Sequence, residues 1–447
     1  MSYNMSLKST LILLFFLTRP FLFKIFRLKF YKEKLSLADS DPDNFIINKM
    51  SVSHIYTEIE VGTPGQKITM QMSMNDYCYF IVDKNCVKQN TALSYFDPLK
   101  STTFFSSQIK RAIILQPFQE MMEVKDVLEL ECGEIDIEFP LVTKINKEVS
   151  GFIGLKLYDK YDLEFGKYNF IELLKNNSLI SDSSFVFHYI TDNEGELIIG
   201  EMPDVYNSSL SKNAFKSVYV SPIEDSISWR MNFDDVYIDG ENSLGSYGGF
   251  FDINYPLIKG VGKYREHLLS RFFQQRINSK DCFEVESVFY FHYYCKRNVD
   301  ISDVGNLILL NKELNASFIL RPKDLFYLPE NSDFIFFYVT FDNGAENYGE
   351  FWRIGEPFLR KYELVFNHNS KRIGIYDTLL KNLSSGSNFS NTITIIILLL
   401  IIVGLLFFVG FLYKTHILKK KMKANELEDS FYYQTKEDKM LMTGSIN

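Results

Sequence analysis

Cysteine, histidine and clustered positive charge are scarce in this chain of 447 residues, and each scarcity excludes a class of protein. Five cysteines are too few for a small disulfide-stabilised scaffold, and the odd number leaves one thiol over. The six histidines show no spacing typical of a zinc site, so we expect no metal and no other cofactor. A net charge of −8, with no globular stretch rich in Lys and Arg, argues against nucleic-acid binding. The hydrophobic content of 46% indicates a large folded chain.

Long apolar runs are also rare, and the most prominent one is residues 392–413. This run carries no charge and is longer than the roughly 20 residues with which a helix crosses a bilayer. Lysines follow it at once: Lys414, Lys419, Lys420, Lys421 and Lys423. Because positive charge favours the cytosolic side, the sequence predicts a transmembrane helix at 392–413, a polar stalk at 379–391 and a cytosolic tail at 414–447.

The N-terminus is similar to a secretion signal. Lys8 precedes the apolar run 11–17, which predicts a signal peptide over residues 1–20. The run continues through residues 21–23, so a signal anchor is an alternative. Five acceptor sequences for N-glycosylation lie between the N-terminal apolar run and residue 392, at Asn176, Asn207, Asn315, Asn382 and Asn388, and none follows residue 392. These features predict a single-pass type I membrane protein whose ectodomain is lumenal or extracellular.

Short runs of β-branched and aromatic residues recur between residues 53 and 378, which predicts a mostly β chain. The predicted strands are 55–61, 68–72, 185–190, 196–199, 233–238, 334–341, 362–366 and 372–376. Helices are predicted at 169–176 and at 262–278, where Leu268, Leu269 and Phe272 form an apolar stripe.

A series of short motifs occurs in order along the same region. They are Y-T-E-I-E-V-G-T-P-G-Q (56–66), F-D-P-L-K-S-T-T-F (96–104), G-F-I-G-L (151–155), G-E-L-I-I-G (195–200), W-R-M-N-F (229–233) and W-R-I-G-E-P-F-L-R-K-Y (352–362). In order and spacing they resemble the motifs of the pepsin-like aspartic proteases. The resemblance implies a bilobal fold of two β-barrel-like lobes, here residues 53–205 and 206–378, with a substrate cleft between them.

The resemblance also implies an Asp-Thr-Gly triplet at the cleft floor in each lobe, and neither triplet is intact. Nine residues after Pro64, where the first catalytic Asp is expected, the chain reads Ser73-Met74-Asn75. The second triplet reads Asp252-Ile253-Asn254, so only its aspartate is present. The family's two aspartates share one proton and activate one water between them. We therefore expect a lone Asp252, without a charged neighbour, to be catalytically impaired.

Further departures concern the surroundings of the two triplets. Met74 and Ile253 replace threonines whose hydroxyls brace the family's active-site loops, so we expect a looser site. The family closes its cleft with a β-hairpin flap that carries a Tyr, and this chain has no Tyr between Phe96 and Leu157. Asp76 follows Ser73 by three residues, too late in the loop to replace the missing acid. A serine nucleophile at Ser73 would need a positioned His and acid, for which no motif is present.

The resemblance extends to the cysteines and to the basic N-terminal stretch. It implies a disulfide Cys282–Cys295 in the second lobe. Cys86 matches the first cysteine of the family's first-lobe bridge, with Cys78 as the nearest candidate partner. Alternatively, Cys78 and Cys132 are small buried apolar side chains. Residues 21–50 are similar to the basic pro-segment of family zymogens, although 21–34 could equally be an amphipathic stretch at a membrane.

Three functions remain after these observations. The first is a membrane-anchored homologue of aspartic endopeptidases that is catalytically impaired and binds a peptide or protein in the cleft between the lobes. The second is an active aspartic endopeptidase with an altered dyad, and the third is a structural surface protein, since a fold alone does not fix a function. In each case we expect a monomer that is held in the membrane through residues 392–413.

Overall fold

The structure is a computed structural model that describes only part of the chain. The described residues are 25–32, 42–51, 54–76, 78–86, 93–112, 118–130, 133–145, 149–157, 168–221, 228–239, 241–287, 289–329, 332–343 and 351–377. The predicted signal peptide, stalk, transmembrane helix and tail lie outside them, as do Cys132, Asn382 and Asn388. Within the described residues no helix combines the length and apolar character needed to cross a bilayer.

Strands make up most of the regular structure, so the chain is mostly β as predicted. They are β1 (Phe26–Lys32), β2 (Ile55–Val61), β3 (Gln66–Ser73), β4 (Tyr79–Val82), β5 (Phe105–Ala112), β6 (Phe118–Leu130), β7 (Gly133–Ile145), β8 (Gly151–Gly154), β9 (Ser184–Tyr189), β10 (Glu194–Ile199), β11 (Phe215–Tyr219), β12 (Arg230–Ile238), β13 (Gly245–Phe251), β14 (Ile258–Gly260), β15 (Cys282–Glu286), β16 (Tyr290–Lys296), β17 (Leu307–Asn311), β18 (Ala316–Leu320), β19 (Phe326–Tyr327), β20 (Phe334–Phe337), β21 (Val339–Asp342), β22 (Trp352–Ile354), β23 (Val365–Asn367) and β24 (Arg372–Tyr376).

Helices are short. They are α1 (Phe45–Ser51), α2 (Phe170–Asn176), α3 (Pro203–Tyr206), α4 (Gly262–Leu268), α5 (Gln274–Asn278), α6 (Pro322–Leu325) and α7 (Glu356–Lys361). A π-helical turn, Leu269–Phe273, joins α4 to α5, which confirms the helix predicted at 262–278. The Asn169 side chain caps α2 by accepting hydrogen bonds from the N–H groups of Ile171 and Glu172.

Two predicted strands differ from the structure. The predicted strand 334–341 is divided at Tyr338 into β20 and β21, because the partner strand changes there: β20 pairs with β19, and β21 pairs with β14. The predicted strand 362–366 begins only at Val365, because Tyr362 ends helix α7 with its N–H bonded to the carbonyl of Phe358.

Among the described residues the strands form two sheets. The first has the order β11-β24-β23-β9-β10-β1-β2-β3-β8-β4-β7-β6-β5, and the second has the order β18-β17-β12-β13-β22-β14-β21-β16-β20-β19, with β15 paired to β16. The first sheet joins the two halves of the chain, since β23 pairs with β9 in the register Val365 to Val186. This arrangement is consistent with the bilobal fold that the resemblance implied.

The same four-strand arrangement occurs in both sheets. In the first, β8 pairs parallel with β3 and antiparallel with β4, which pairs parallel with β7. In the second, β22, β13, β14 and β21 repeat these pairings in the same order. Met72 is in register with Ile153, and Phe251 is in register with Ile354. Ser73 and Asp252 each come one residue later, so they occupy equivalent positions in the two halves.

The basic N-terminal stretch contributes strand β1 to the middle of the first sheet. This strand pairs antiparallel with β10 on one side and with β2 on the other. Its alternate residues Phe26, Leu28 and Phe30 are buried, as expected when one face of a strand covers a core. These side chains are therefore unavailable to a membrane surface in this fold, and the role of a pro-segment stays a prediction.

Four of the five cysteines lie within the described residues, where they form one disulfide and leave two thiols. Cys282 and Cys295 lie opposite each other on β15 and β16 and form the disulfide that the resemblance implied, which confirms that pairing. Cys78 and Cys86 do not form the candidate disulfide, and both are thiols. The Cys86 thiol donates a hydrogen bond to the carbonyl of Val142 at 2.9 Å, and both sulfurs pack against the apolar cluster around Phe80.

Candidate functional site

The two positions that correspond to the family's aspartates both lie in the interior. Ser73 is the last residue of β3 and is 3% exposed, while Asp252 follows β13 and is fully buried. Asn75 links their loops, since its Nδ2 donates to Asp252 Oδ2 at 2.8 Å. The structure therefore brings together the two site residues that the sequence predicted.

Asp252 has a charged neighbour, contrary to our expectation. Arg353 on β22 donates from Nε to Asp252 Oδ2 at 3.0 Å and also donates to the same oxygen from Nη2. The other carboxylate oxygen, Oδ1, accepts from the backbone N–H of Asn254 at 2.9 Å. With Asn75 added, Asp252 Oδ2 accepts three hydrogen bonds from two side chains.

Sequence reasoning missed Arg353, although a signal was present. The motif W-R-I-G places an arginine where the family's W-I-L-G motif has an apolar residue. On both sides of it Trp352 and Ile354 are fully buried. A cation between two core residues of a short strand needs a partner, because an unpaired charge near the interior is costly. The register of β22 with β13 supplies this partner by placing Arg353 opposite Phe250, two residues before Asp252.

Ser73 has partners within its own loop. Its hydroxyl donates to Asp76 Oδ2 at 3.0 Å and accepts from the backbone N–H of Asn75 at 3.0 Å. Asp76 is exposed, and its carboxylate accepts this hydrogen bond from Ser73. A serine hydroxyl can orient a water, but it cannot take up the water's proton at an ordinary pH. The pair of carboxylates that the family's chemistry needs is thus replaced by one carboxylate and one hydroxyl.

Hydrogen bonds connect the two loops of the site. The looser site that we expected from Met74 and Ile253 is therefore not observed. Both side chains are fully buried in the core. The bracing comes instead from the asparagines that replace the two glycines. Asn254 donates from Nδ2 to the carbonyl of Met72 at 2.8 Å and accepts from the N–H of Ile55 at 3.2 Å. Together with the contact of Asn75 to Asp252, these bonds connect the two loops in both directions.

A long hairpin stands in the region where the family has its flap. Strands β5 and β6 pair antiparallel from Phe105 with Lys125 to Ala112 with Glu120, with an irregularity between Ser106 and Lys110. The tip, residues 113–117, lies outside the described residues. The sequence contains no Tyr in this hairpin. Any closure over the cleft therefore lacks the phenolic hydroxyl that the family's flap supplies.

A buried ion pair joins strand β1 of the N-terminal segment to helix α7. Lys32 Nζ lies 2.7 Å from Glu356 Oε2, and both side chains are at most 5% exposed. Burial by itself raises the pKa of Glu356, but the cations of Lys32, Lys49 and Arg360 outweigh burial and lower this pKa to about 2. Glu356 begins α7, three residues after Arg353. Strand β1 is consequently tied to the segment that carries the cation of the site.

Residues 42–51 pack beside the site. Phe45 is buried in a cluster with Tyr255 and Tyr338, and its ring stacks on Phe336 with centroids 3.8 Å apart. The hydroxyl of Tyr294 donates to Asp43 Oδ1 at 2.9 Å. Tyr255 in turn lies under Arg353, whose guanidinium carbon is 4.3 Å from the ring centroid. The N-terminal segment thus covers one wall of the site, and its contacts are with Tyr255 and its neighbours rather than with Asp252.

The other predicted features are not part of this site. Within the described ranges no group of His, Cys, Asp and Glu side chains could hold a metal ion. Of the predicted glycosylation positions, Asn176 and Asn315 are exposed, and Asn207 is half-buried with its Oδ1 accepting from Ser209. These positions lie at the end of α2, after α3 and before β18.

Comparison with known proteins agrees with the motifs and the fold. The model of the eukaryotic aspartyl protease family matches residues 54–377, which is well over half of the chain. The chain is also 22% identical to Plasmepsin VI of Plasmodium berghei (strain Anka) over 353 residues, covering 72% of this chain and 74% of that protein. The match includes both loops of the site and Arg353, so the chain belongs to the eukaryotic aspartyl protease family.

Proposed function

We propose that this protein is a catalytically silent, membrane-anchored member of the family that binds an extended peptide, or a segment of a protein, in its cleft. One observation carries the proposal: Arg353 and Asn75 both donate to Asp252 Oδ2, while Ser73 stands at the other dyad position. The binding part of the proposal rests on the family's fold, in which an extended peptide lies between the lobes.

The chemistry of peptide hydrolysis explains why this arrangement is silent. In the family a water is held between two carboxylates, of which one takes its proton and the other donates one. Here the water would meet a serine hydroxyl on one side. On the other side it would compete with a guanidinium and an amide for Asp252 Oδ2. Both the second acid and the water's position are lost, so turnover needs more than one change to return.

The membrane part of the proposal rests on residues 392–413 and on the lysines behind them. We infer a type I protein with its cleft on the lumenal or extracellular side. The test uses the full-length protein with an epitope after Asn447, made in sealed microsomes. External protease should remove the epitope and spare the folded part, together with any glycans on Asn176 and Asn315. An epitope that is protected while residues 25–377 are degraded would contradict this orientation.

The test of silence uses the full-length protein purified in mild detergent. We expect no hydrolysis of a mixed peptide library between pH 3 and 6, measured by mass spectrometry. A fluorescent statine-type peptide, which mimics the family's transition state, should still bind as an extended chain. Hydrolysis that Asp252→Asn abolishes and that the statine peptide blocks would establish an active endopeptidase instead.

One control variant and one further outcome separate the alternatives. Asp76→Asn tests the nearest second acid, because Asp76 Oδ2 lies 3.0 Å from the Ser73 hydroxyl. If this change removed an observed activity, Asp76 would be part of an altered dyad. If the protein neither cleaved nor bound any peptide, the scaffold function would remain and the proposal of a peptide-binding cleft would be wrong.

A further inference from the structure

Two cations face each other beside the buried aspartate. Lys259 on β14 is in direct register with Arg353 on β22, in an antiparallel pair. Side chains at such positions point to the same face of a sheet, with Cβ atoms roughly 5 Å apart. Like charges in this arrangement repel each other, and therefore they need compensating anions. Each cation has one: Asp252 for Arg353, and Asp342 for Lys259 at 2.8 Å.

Both cations keep N–H groups that these two ion pairs do not use. Arg353 uses Nε and Nη2 for Asp252, and in the described part of the chain its Nη1 has no hydrogen-bond acceptor. Its side chain is 37% exposed although Asp252 behind it is fully buried. Lys259 gives one of its three donors to Asp342 and is 14% exposed. Both side chains keep this exposure while residues 42–51 pack beside the site.

Aromatic rings hold both cations in place. The Arg353 guanidinium lies over the ring of Tyr255, and Lys259 Nζ lies 4.3 Å from the ring centroid of Phe351. Cation–π contacts of this kind restrict the side chains without using their N–H groups. The Tyr255 hydroxyl is fixed as well, through a 2.7 Å hydrogen bond with the hydroxyl of Thr340. The donors are therefore preorganised before any ligand arrives.

The first sheet has a different pair at the equivalent positions. Phe80 on β4 and Phe152 on β8 are in register just as Lys259 and Arg353 are, and their rings stack in parallel with centroids 5.4 Å apart. In the first sheet these positions are therefore filled by buried core side chains, whereas in the second sheet they carry two cations. A pair of cations on one half alone gives the two ends of a bound peptide different surroundings.

We propose that Lys259 and Arg353 form a binding site for a carboxylate of the peptide in the cleft. A carboxylate between them would accept from Arg353 Nη1 and from Lys259 Nζ, with charge-assisted bonds at both oxygens. The carboxylate belongs either to an Asp or Glu side chain or to the C-terminus of the ligand. This inference rests on the proposed function, because it specifies which peptides the cleft selects.

The experiment compares four fluorescent octapeptides on the full-length protein in mild detergent. They share an apolar sequence of Val, Leu and Phe, carry a central Glu or Gln, and end in an acid or an amide. We expect a carboxylate in the right place to strengthen binding by about tenfold or more, as two charge-assisted hydrogen bonds would. Stronger binding of the Glu peptides than of the Gln peptides identifies a side-chain carboxylate. Stronger binding of the acids than of the amides identifies the C-terminus.

Two variants connect the preference to the site. Lys259→Met should reduce the preference to about threefold or less, since one of the two cations is lost. The double variant Asp252→Asn/Arg353→Met removes the other cation without leaving a buried charge unpaired, and should reduce it likewise. The matched control is Lys296→Met, which removes an exposed lysine paired with Asp281 on another part of the second sheet. This control should keep the full preference.

Each outcome decides the inference. Equal binding of all four peptides, a preference that survives Lys259→Met, or an equal loss in Lys296→Met would each overturn it while leaving a peptide-binding cleft intact. If none of the four peptides bound, and the statine peptide did not bind either, the proposed function and this inference would both be wrong. A preference for Glu or for the acid that only the two site variants remove would support the inference.

Discussion

Arg353 and Asp252 are joined through a single carboxylate oxygen, with Nε and Nη2 of the guanidinium both on Oδ2. Oδ1 is left for the backbone of Asn254. The guanidinium approaches from the open side of the site, where it is partly exposed, toward a carboxylate that is fully buried. Arg353 therefore lies between Asp252 and the solvent. The predicted effects of substitutions at either residue follow from this contact.

The first prediction concerns the recovery of activity. Ser73→Asp alone should give no measurable turnover, because Arg353 and Asn75 still occupy Asp252 Oδ2. Ser73→Asp/Arg353→Ile restores the second carboxylate and the family's apolar residue, and should give slow hydrolysis between pH 3 and 6 in a fluorogenic peptide assay. Adding Asp252→Asn should abolish that hydrolysis. Full activity from Ser73→Asp alone would show that Arg353 does not block the site.

The second prediction concerns stability. Arg353→Met leaves Asp252 buried without its cation, so the free energy of unfolding should fall by about 2–3 kcal/mol, less than for a fully buried pair because Arg353 is partly exposed. Asp252→Asn/Arg353→Met should recover much of the loss, since no charge is then left unpaired. Urea unfolding followed by tryptophan fluorescence measures both variants. Lys125→Met, which removes an exposed pair with Glu138, is the control and should cost roughly 1 kcal/mol or less. A similar small cost for Arg353→Met would contradict the prediction.

The third prediction follows from the pKa of Glu356. This pKa is about 2 in the folded chain, below the ordinary Glu value of 4.5, so the stability that it contributes is complete above pH 4.5. That stability is lost as pH falls toward 2, by up to about 3 kcal/mol. Glu356→Gln should lower stability at neutral pH and flatten its dependence on pH between 4.5 and 2. The exposed Glu313→Gln should keep the dependence of the parent protein.

The fourth prediction concerns His292, which is fully buried and whose two ring nitrogens have no hydrogen-bond partner within the described residues. Burial lowers the pKa of His292 to about 4, with a weaker opposing effect of Asp43. Because the unfolded chain takes up this proton nearer pH 6.5, the fold loses stability as pH falls from 6.5 to 4. His292→Leu should remove this loss, seen as a higher Tm than the parent protein at pH 4 to 5. Equal Tm values at that pH would show that His292 does not titrate in this range.

The sequence predicted the position of the site better than its contents. The spacing from Pro64 and the alternation in β2 and β3 are local, so Ser73 could be placed by counting along the chain. The contact between Arg353 and Asp252 depends on the parallel pairing of β22 with β13, between residues about a hundred positions apart. Local patterns of charge and hydrophobicity contain no information on such a register. For the same reason the bracing by Asn75 and Asn254 was not predicted from either loop alone.

The pairing of β23 with β9 has a consequence for the order in which the chain is made. Val186 is synthesised 179 residues before its partner Val365, and so a ribosome-bound chain carries β9 with an open edge during that interval. An open edge strand can pair with other chains. A product that stops before residue 365 would keep this edge permanently, which would make it a substrate for chaperones and proteases in the compartment where it folds. The pairing of β23 with β9 thus closes an edge that stays open until the last strands of the fold have been made.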